Sequence, residues 1–306
     1  MSSGAKVVTA YAKQTTKTVP TTGWKILPNI KNGLSVNNTL TDSEMLSGSR
    51  IKSAGMVTGG EVAGEIETEL QYGVYDELLE AAFFNEWQAD ARNTKLKKLS
   101  IGDTKKMFAI SKDFSDINVN HVFTGCVINS LKIDITTDNL IKANFGVMGQ
   151  GYQHSKETSF AKSPATATVG KPASGLSIGT IKKDGADIGI CVESFSFEID
   201  NGAEVQKCLG DNIYGGNIVA MLANISGSLT LAYGVKSHDL IVNQLTGATV
   251  SLEIPISFNE TDKYIIKIPK MQVSGEIPSP SGSDLVTVDV SYTVVEESPI
   301  IEKHQA

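Results

Sequence analysis

The 306-residue chain is poor in the residues that advertise chemistry. Three cysteines, Cys126, Cys191 and Cys208, stand far apart with no CxxC. An odd and sparse count excludes a disulfide framework and points to reduced thiols, read as small buried hydrophobes. The four histidines, His121, His154, His238 and His304, have no partner at i+2 or i+4, so metal-ligand spacing is missing. There is no GxxxxGK[ST], no GxGxxG after a strand, no GxSxG and no HExxH. No enzyme, metal or cofactor is therefore expected, although a triad need not be local in sequence. No apolar run approaches ~18 residues, so no membrane-spanning helix is encoded. The first residues, MSSGAKVVTAYAK, lack the apolar core of a secretory signal, and none is expected. Basic residues are outnumbered, 27 against 34 acids, for a net charge of −7. That argues against a protein that holds DNA by neutralising phosphates.

What is present is alternation. In EVAGEIETELQY (61–72), Val62, Gly64, Ile66, Thr68, Leu70 and Tyr72 share one face, and Glu61, Ala63, Glu65, Glu67, Glu69 and Gln71 share the other. This predicts a half-buried strand of ~40 Å, longer than usual. VINSLKIDITT (127–137) alternates likewise, and Asp138-Asn139 turns the chain into a second strand over 140–148. Further strands are expected over 194–200, 227–233, 249–258, 264–268 and 285–295. Two helices are expected. One runs from Tyr75 to Trp87, with Asp76 and Glu77 in its first turn. The other runs from Ser237, as N-cap, to Leu245. Residues 1–33, broken by Pro20 and Pro28, read as an extended arm with at most a short strand near 6–11. Residues 153–186, rich in small residues, read as a linker. The expected division is an arm (1–33), a first module (34–152), a linker (153–186), a second module (187–296) and a tail (297–306).

The two modules echo each other. Asn38 corresponds to Asn201, Leu46-Ser47-Gly48 to Cys208-Leu209-Gly210, Tyr72-Gly73-Val74 to Tyr233-Gly234-Val235, and the strand 140–147 to 285–292. The alternative is two unrelated β modules that share common turn residues. If the repeat holds, the first module carries about sixteen extra residues near 91–112. Two like units joined head to tail use a heterologous contact, which propagates into rings or filaments. Three such chains would give pseudo-six-fold symmetry.

Charge is segregated. Residues 60–90 hold nine carboxylates and no Lys or Arg, whereas 1–59 carry seven basic residues against two acids. Glu61, Glu65, Glu67 and Glu69 line one strand face. One reading is a wall that must not hold a passing polyanion; the other is an ordinary solvated sheet face. The corresponding second-module positions, Ser226, Ser228, Thr230 and Ala232, carry no charge.

Four stretches, GGEVAGEIETELQYGVYDELLEAAF (59–83), TGCVINSLKIDITTDNLIKANFGVMGQG (124–151), SFSFEIDNGAE (194–204) and SGSLTLAYG (226–234), resemble the tail tube (major tail) proteins of long flexible-tailed bacteriophages, the siphophages. The resemblance covers about residues 30–295. It implies a mainly β chain of two tandem β-sandwich or barrel modules, each with one flanking helix. It also implies a structural virion protein whose rings stack into a hollow tube that delivers double-stranded DNA to the host cell. The implied partners are further copies of the chain (three or six per ring), a tape-measure protein, a tail terminator and distal tail proteins. DNA would pass without specific binding, and there would be no membrane insertion. Assembly would take place in the host cytoplasm. Lumens of the family tend to be acidic, which makes Glu61, Glu65, Glu67 and Glu69 the candidate lumen-facing residues. Trp24 in the arm, and Arg50 and Lys52 in the loop 41–57, are candidates for contacts between rings, as is the loop 208–218. No extra immunoglobulin-like domain is expected, because only about a dozen residues follow the last strand. The competing expectation is a β-sandwich binding or adhesion module of a virion or cell surface. A cluster of exposed aromatics would favour it, and none is visible outside the first helix.

Overall fold

Strict period-two segments can bury their apolar side only by pairing into sheets, and the chain does so throughout. The structure is a computed structural model that describes all residues except Met1, Leu46, Ser47, Ser49, Thr168, Pro280, Ser281 and Ala306. In chain order the principal elements are β1 (Val7–Gln14), β2 (Ser35–Thr41), β3 (Met56–Glu69), α1 (Asp76–Ala82), β4 (Leu96–Ser100), β5 (Met107–Phe114), β6 (Val119–Thr136), β7 (Lys142–Gly149) and β8 (Gly151–Ser155). Then come β9 (Val192–Asp200), β10 (Asn224–Ala232), α2 (Val235–Thr246), β11 (Thr249–Ser257), β12 (Lys263–Gly275), β13 (Thr287–Val294) and β14 (Ile300–His304). The fold is mainly β and its ladders are antiparallel. Among the described residues no sheet closes into a barrel.

A long sheet organises the molecule, in the order β2–β3–β7–β6–β9–β10–β13–β12. Its second four strands repeat the first four in order and register. Ile199 faces Ile225 where Val36 faces Val62, and Val290 faces Leu229 where Phe145 faces Ile66. A helix follows the second strand of each set. The β6–β9 ladder welds the sets together, so their apolar faces form one core that includes Phe83, Leu131, Ile133, Phe145, Phe197 and Val290.

The longest strand, β6, serves two sheets. Its C-terminal part lies in the long sheet, and its N-terminal part pairs with β5 and β8. Gly125 sits at the changeover with φ +61, and a Cβ there would press on the Gln150 side chain. The N-terminal part of β12 likewise pairs with β11 and β14.

Several elements exceed what the pattern suggests. The expected arm contributes β1, paired along its whole length with β5. Alternating small residues (Ala10, Ala12) let it lie flat against the core, a signal that its Thr- and Lys-rich flanks obscure. The expected tail contributes β14. The extra residues of the first half form β4, which pairs with β14 of the second half. Helix α1 stops at Ala82 because Phe84 takes φ +50. Ser237 is not the N-cap of α2. It lies in the first turn and its Oγ accepts from Gly234 N at 2.7 Å, while Gly247 ends the helix at φ +64. The proposed match of Leu46-Ser47 with Cys208-Leu209 lies outside the described residues.

Candidate functional site

The long sheet has one face against the core and one open. On β3, Glu61 and Glu65 are exposed, and Glu67 and Glu69 are half-buried, all on the open face. Successive carboxylates along a strand stand ~7 Å apart, within a Debye length at physiological salt, so they repel one another. Lys142 on β7 relieves part of this, with Nζ 2.6 Å from Glu67 Oε1, and that hydrogen bond raises its own pKa. Across the seam the open face changes character. Ser194 Oγ donates to Thr230 Oγ1 at 2.8 Å, and Thr230 Oγ1 donates to Asp289 Oδ1 at 2.8 Å. The Ser196 and Ser228 hydroxyls share a bond of 2.9 Å. One half thus shows an acidic rail and the other a rail of short hydroxyls.

The seam between the halves is extensively bonded. Asn201, 3% exposed, donates from Nδ2 to Ala82 O and Asn129 O, each at 3.0 Å, and its backbone N donates to Asn129 O at 2.9 Å. At the start of α1, Asp76 forms an ion pair with Lys303 and accepts from Tyr264 OH at 2.7 Å. The Lys303 ammonium lies 4.6 Å from the centre of the Tyr72 ring. Trp87 stacks on Tyr264 with ring centres 6.2 Å apart. Burial, and then the Asp76 charge, pushes the Tyr264 hydroxyl well above its usual range. Beside it, Glu77 accepts from Tyr11 OH at 2.9 Å and pairs with Lys13 and Lys25, both at 2.9 Å. Burial raises its pKa, but the hydrogen bonds from Lys25, Lys13 and Tyr11 outweigh this and leave it lowered.

One end of the long sheet is open along β2, and the other is open only beyond Gln272, where the β11 ladder stops. Among the described residues, β2 has no strand on its outer side, and nothing pairs with Glu276–Ser279 beyond β12. The loop between β2 and β3 carries Arg50 and Lys52 in exposed positions, with Lys52 Nζ 3.1 Å from Asp42. Trp24 is placed otherwise. It is 2% exposed, packed among Ala10, Ala12, Ala109, Val122 and Ala161, and its Nε1 donates to Pro20 O at 2.9 Å. Its ring covers a local apolar patch. Cys126 is buried, and burial pushes its thiol pKa up, whereas Cys191 and Cys208 are exposed.

Sequence reasoning picked out the glutamate rail and the Asn38/Asn201 correspondence. It missed Asp76–Lys303, because nothing local joins residues so far apart, and it missed what Asn201 bonds. Among the described residues no three His, Cys, Asp or Glu side chains converge as a metal site. Among the described residues no helix is long and apolar enough to cross a membrane. No curated protein matches the sequence. A family model described as phage tail tube protein matches residues 4–294.

Proposed function

The chain belongs to the phage tail tube protein family, and from that premise we propose how it builds its tube. Membership makes it a structural component of the virion tail that self-assembles; the family is not a class of enzymes. In our reading, copies join edge to edge into a ring of three with pseudo-six-fold symmetry, rings stack, and double-stranded DNA leaves through the bore into the host. The observation that carries this is the long sheet, a repeated four-strand order with one polar face and, among the described residues, one unpaired edge at β2 and, at the other end, an edge with no strand partner beyond Gln272.

Closure arithmetic favours three copies over six. Eight strands per chain, ~4.8 Å apart and tilted by ~40°, give a backbone diameter of about 45–50 Å for three chains and twice that for six. The narrower bore suits a single duplex. The polar face lines it, with Glu61, Glu65, Glu67 and Glu69 repelling phosphates so that DNA passes without being retained. The two modules correspond to residues 34–152 and 187–296, and β1 and β14 complete their outer sheets. Arg50 and Lys52, in the loop between β2 and β3, and the loop 208–218 make the contacts between rings. A tape-measure protein sets the length, terminator and distal tail proteins close the ends, and assembly takes place in the host cytoplasm.

Cryo-electron microscopy of the purified protein tests this. We expect hollow tubes of stacked three-copy rings with β3 facing the bore. In phage carrying the triple variant Glu61→Lys, Glu65→Lys, Glu69→Lys, tails should form but DNA release should slow. A compact monomer at high concentration, or a bore lined by the outer sheets, would refute the reading.

A further inference from the structure

We propose that a ring closes when β2 of one copy adds to the open edge formed by β12 and Glu276–Ser279 of the next, in the register of the internal β6–β9 seam, and that Gln244 guards this edge until then. This rests on the ring reading above and specifies the contact that such a ring needs.

The chain already contains one complete junction of this kind. At the β6–β9 seam, Leu131 faces Ile199, Ser130 faces Asp200 and Ile133 faces Phe197. The repeat places Val36 where Ile199 stands. It also places Gly275 where Leu131 stands, because Gly275 faces Val290 as Leu131 faces Phe145. Transferring the seam sets Val36 of one copy opposite Gly275 of the next, Asn37 opposite Ser274, and Leu34 opposite Ile277. Ile277 is 68% exposed in the single chain, while its counterpart Ile133 is 2% exposed beneath the seam. Asn38, the counterpart of Asn201, has no side-chain hydrogen bond among the described residues and would meet the Val273 carbonyl as Asn201 meets that of Asn129.

Hydrogen bonding at the edge supports the same register. Asn201 and Asn129 are bonded through their backbones, so two residues along each strand Ile199 and Leu131 form the next hydrogen-bonded pair. Gly275 is thus the residue that should turn both its N–H and its C=O towards an incoming strand. Both are taken by one side chain. Gln244 Nε2 donates to Gly275 O at 2.9 Å, and Gln244 Oε1 accepts from Gly275 N at 3.1 Å. An amide offering one donor and one acceptor copies what Val36 would offer. An open edge is a template for uncontrolled pairing, and a side chain that occupies it blunts that hazard. Pro278 does not obstruct the seam. By alternation from Gly275 and Ile277, its missing N–H belongs to the other side of the strand.

The test is cross-linking in a parent carrying Cys191→Ser and Cys208→Ser. Asn37 and Ser274 would form a non-hydrogen-bonded pair with Cα atoms ~4.5 Å apart, within disulfide range. Oxidised tubes of the variant Asn37→Cys/Ser274→Cys should give a covalent ladder ending at three chains. The shifted pair Asn37→Cys/Gln272→Cys should stay unlinked. If the parent forms tubes but the first pair fails to link, or the shifted pair links instead, the register is wrong while the tube reading stands. If the parent forms no rings, the tube reading itself falls. Gln244→Ala should shorten the assembly lag about tenfold, as expected from freeing two hydrogen-bonded edge groups; an unchanged or longer lag overturns the guard.

Discussion

The ion pair between Asp76 and Lys303 should hold the two halves at their fixed angle. Lys303 is almost fully buried and Asp76 about a quarter exposed, so each charge has lost much of its water. Removing one partner from a fully buried pair costs about 3–5 kcal/mol. The exposure of Asp76 scales this to about 2–3 kcal/mol for Lys303→Met. Asp76→Asn should cost somewhat less, because the Tyr72 ring still faces the orphaned ammonium. The double variant should cost about 1.5–2 kcal/mol less than the sum of the single changes. For 306 residues the unfolding entropy is about 0.64 kcal/mol/K, so Lys303→Met should lower Tm by about 3–5 °C. Calorimetry on unassembled protein at low concentration, for all four members of the cycle, gives the coupling. A coupling below about 0.5 kcal/mol would refute the role assigned to the pair and leave the junction to Asn201, the Trp87–Tyr264 stack and the β6–β9 and β4–β14 ladders.

Glu77 predicts a pH dependence. Its folded pKa lies below its unfolded one, so its contribution is complete above the unfolded value, near 4.5, and is lost as pH falls through the folded value. Glu77→Gln should therefore lower Tm at pH 7 and flatten the decline between about pH 5 and 3; parallel Tm–pH curves would contradict it. Phe197, fully buried beneath the seam and stacked on Phe83 with ring centres 6.5 Å apart, should cost about 3–5 kcal/mol on change to Ala, read by denaturant unfolding.

Much of this architecture was legible in the residues. The alternation through 61–72 and 127–137 gave β3 and most of β6, because a half-buried strand needs that pattern and little else. The Tyr-Gly-Val repeat marked where each helix begins. Strands buried on both sides or made of very small residues left no such trace, which is why β1 read as an arm. Long-range matches also escaped. The pairing of β4 with β14 joins two short, Lys-bearing segments whose local sequence favours no partner. Trp24 shows the limit of composition: a lone aromatic in a polar stretch reads equally as an anchor or as a lid, and only its alanine-lined seat decides.

That pairing of β4 with β14 has a kinetic consequence. It ties Ser100 to Ile300, across two hundred positions of chain. Closing so long a loop is entropically costly, and contacts of such separation form slowly. The β12–β14 ladder, whose strands lie about forty positions apart, closes a far shorter loop. The ladder that locks the end of the chain onto the first half is therefore the slowest to find its place, and the two halves fold against each other before that lock is set.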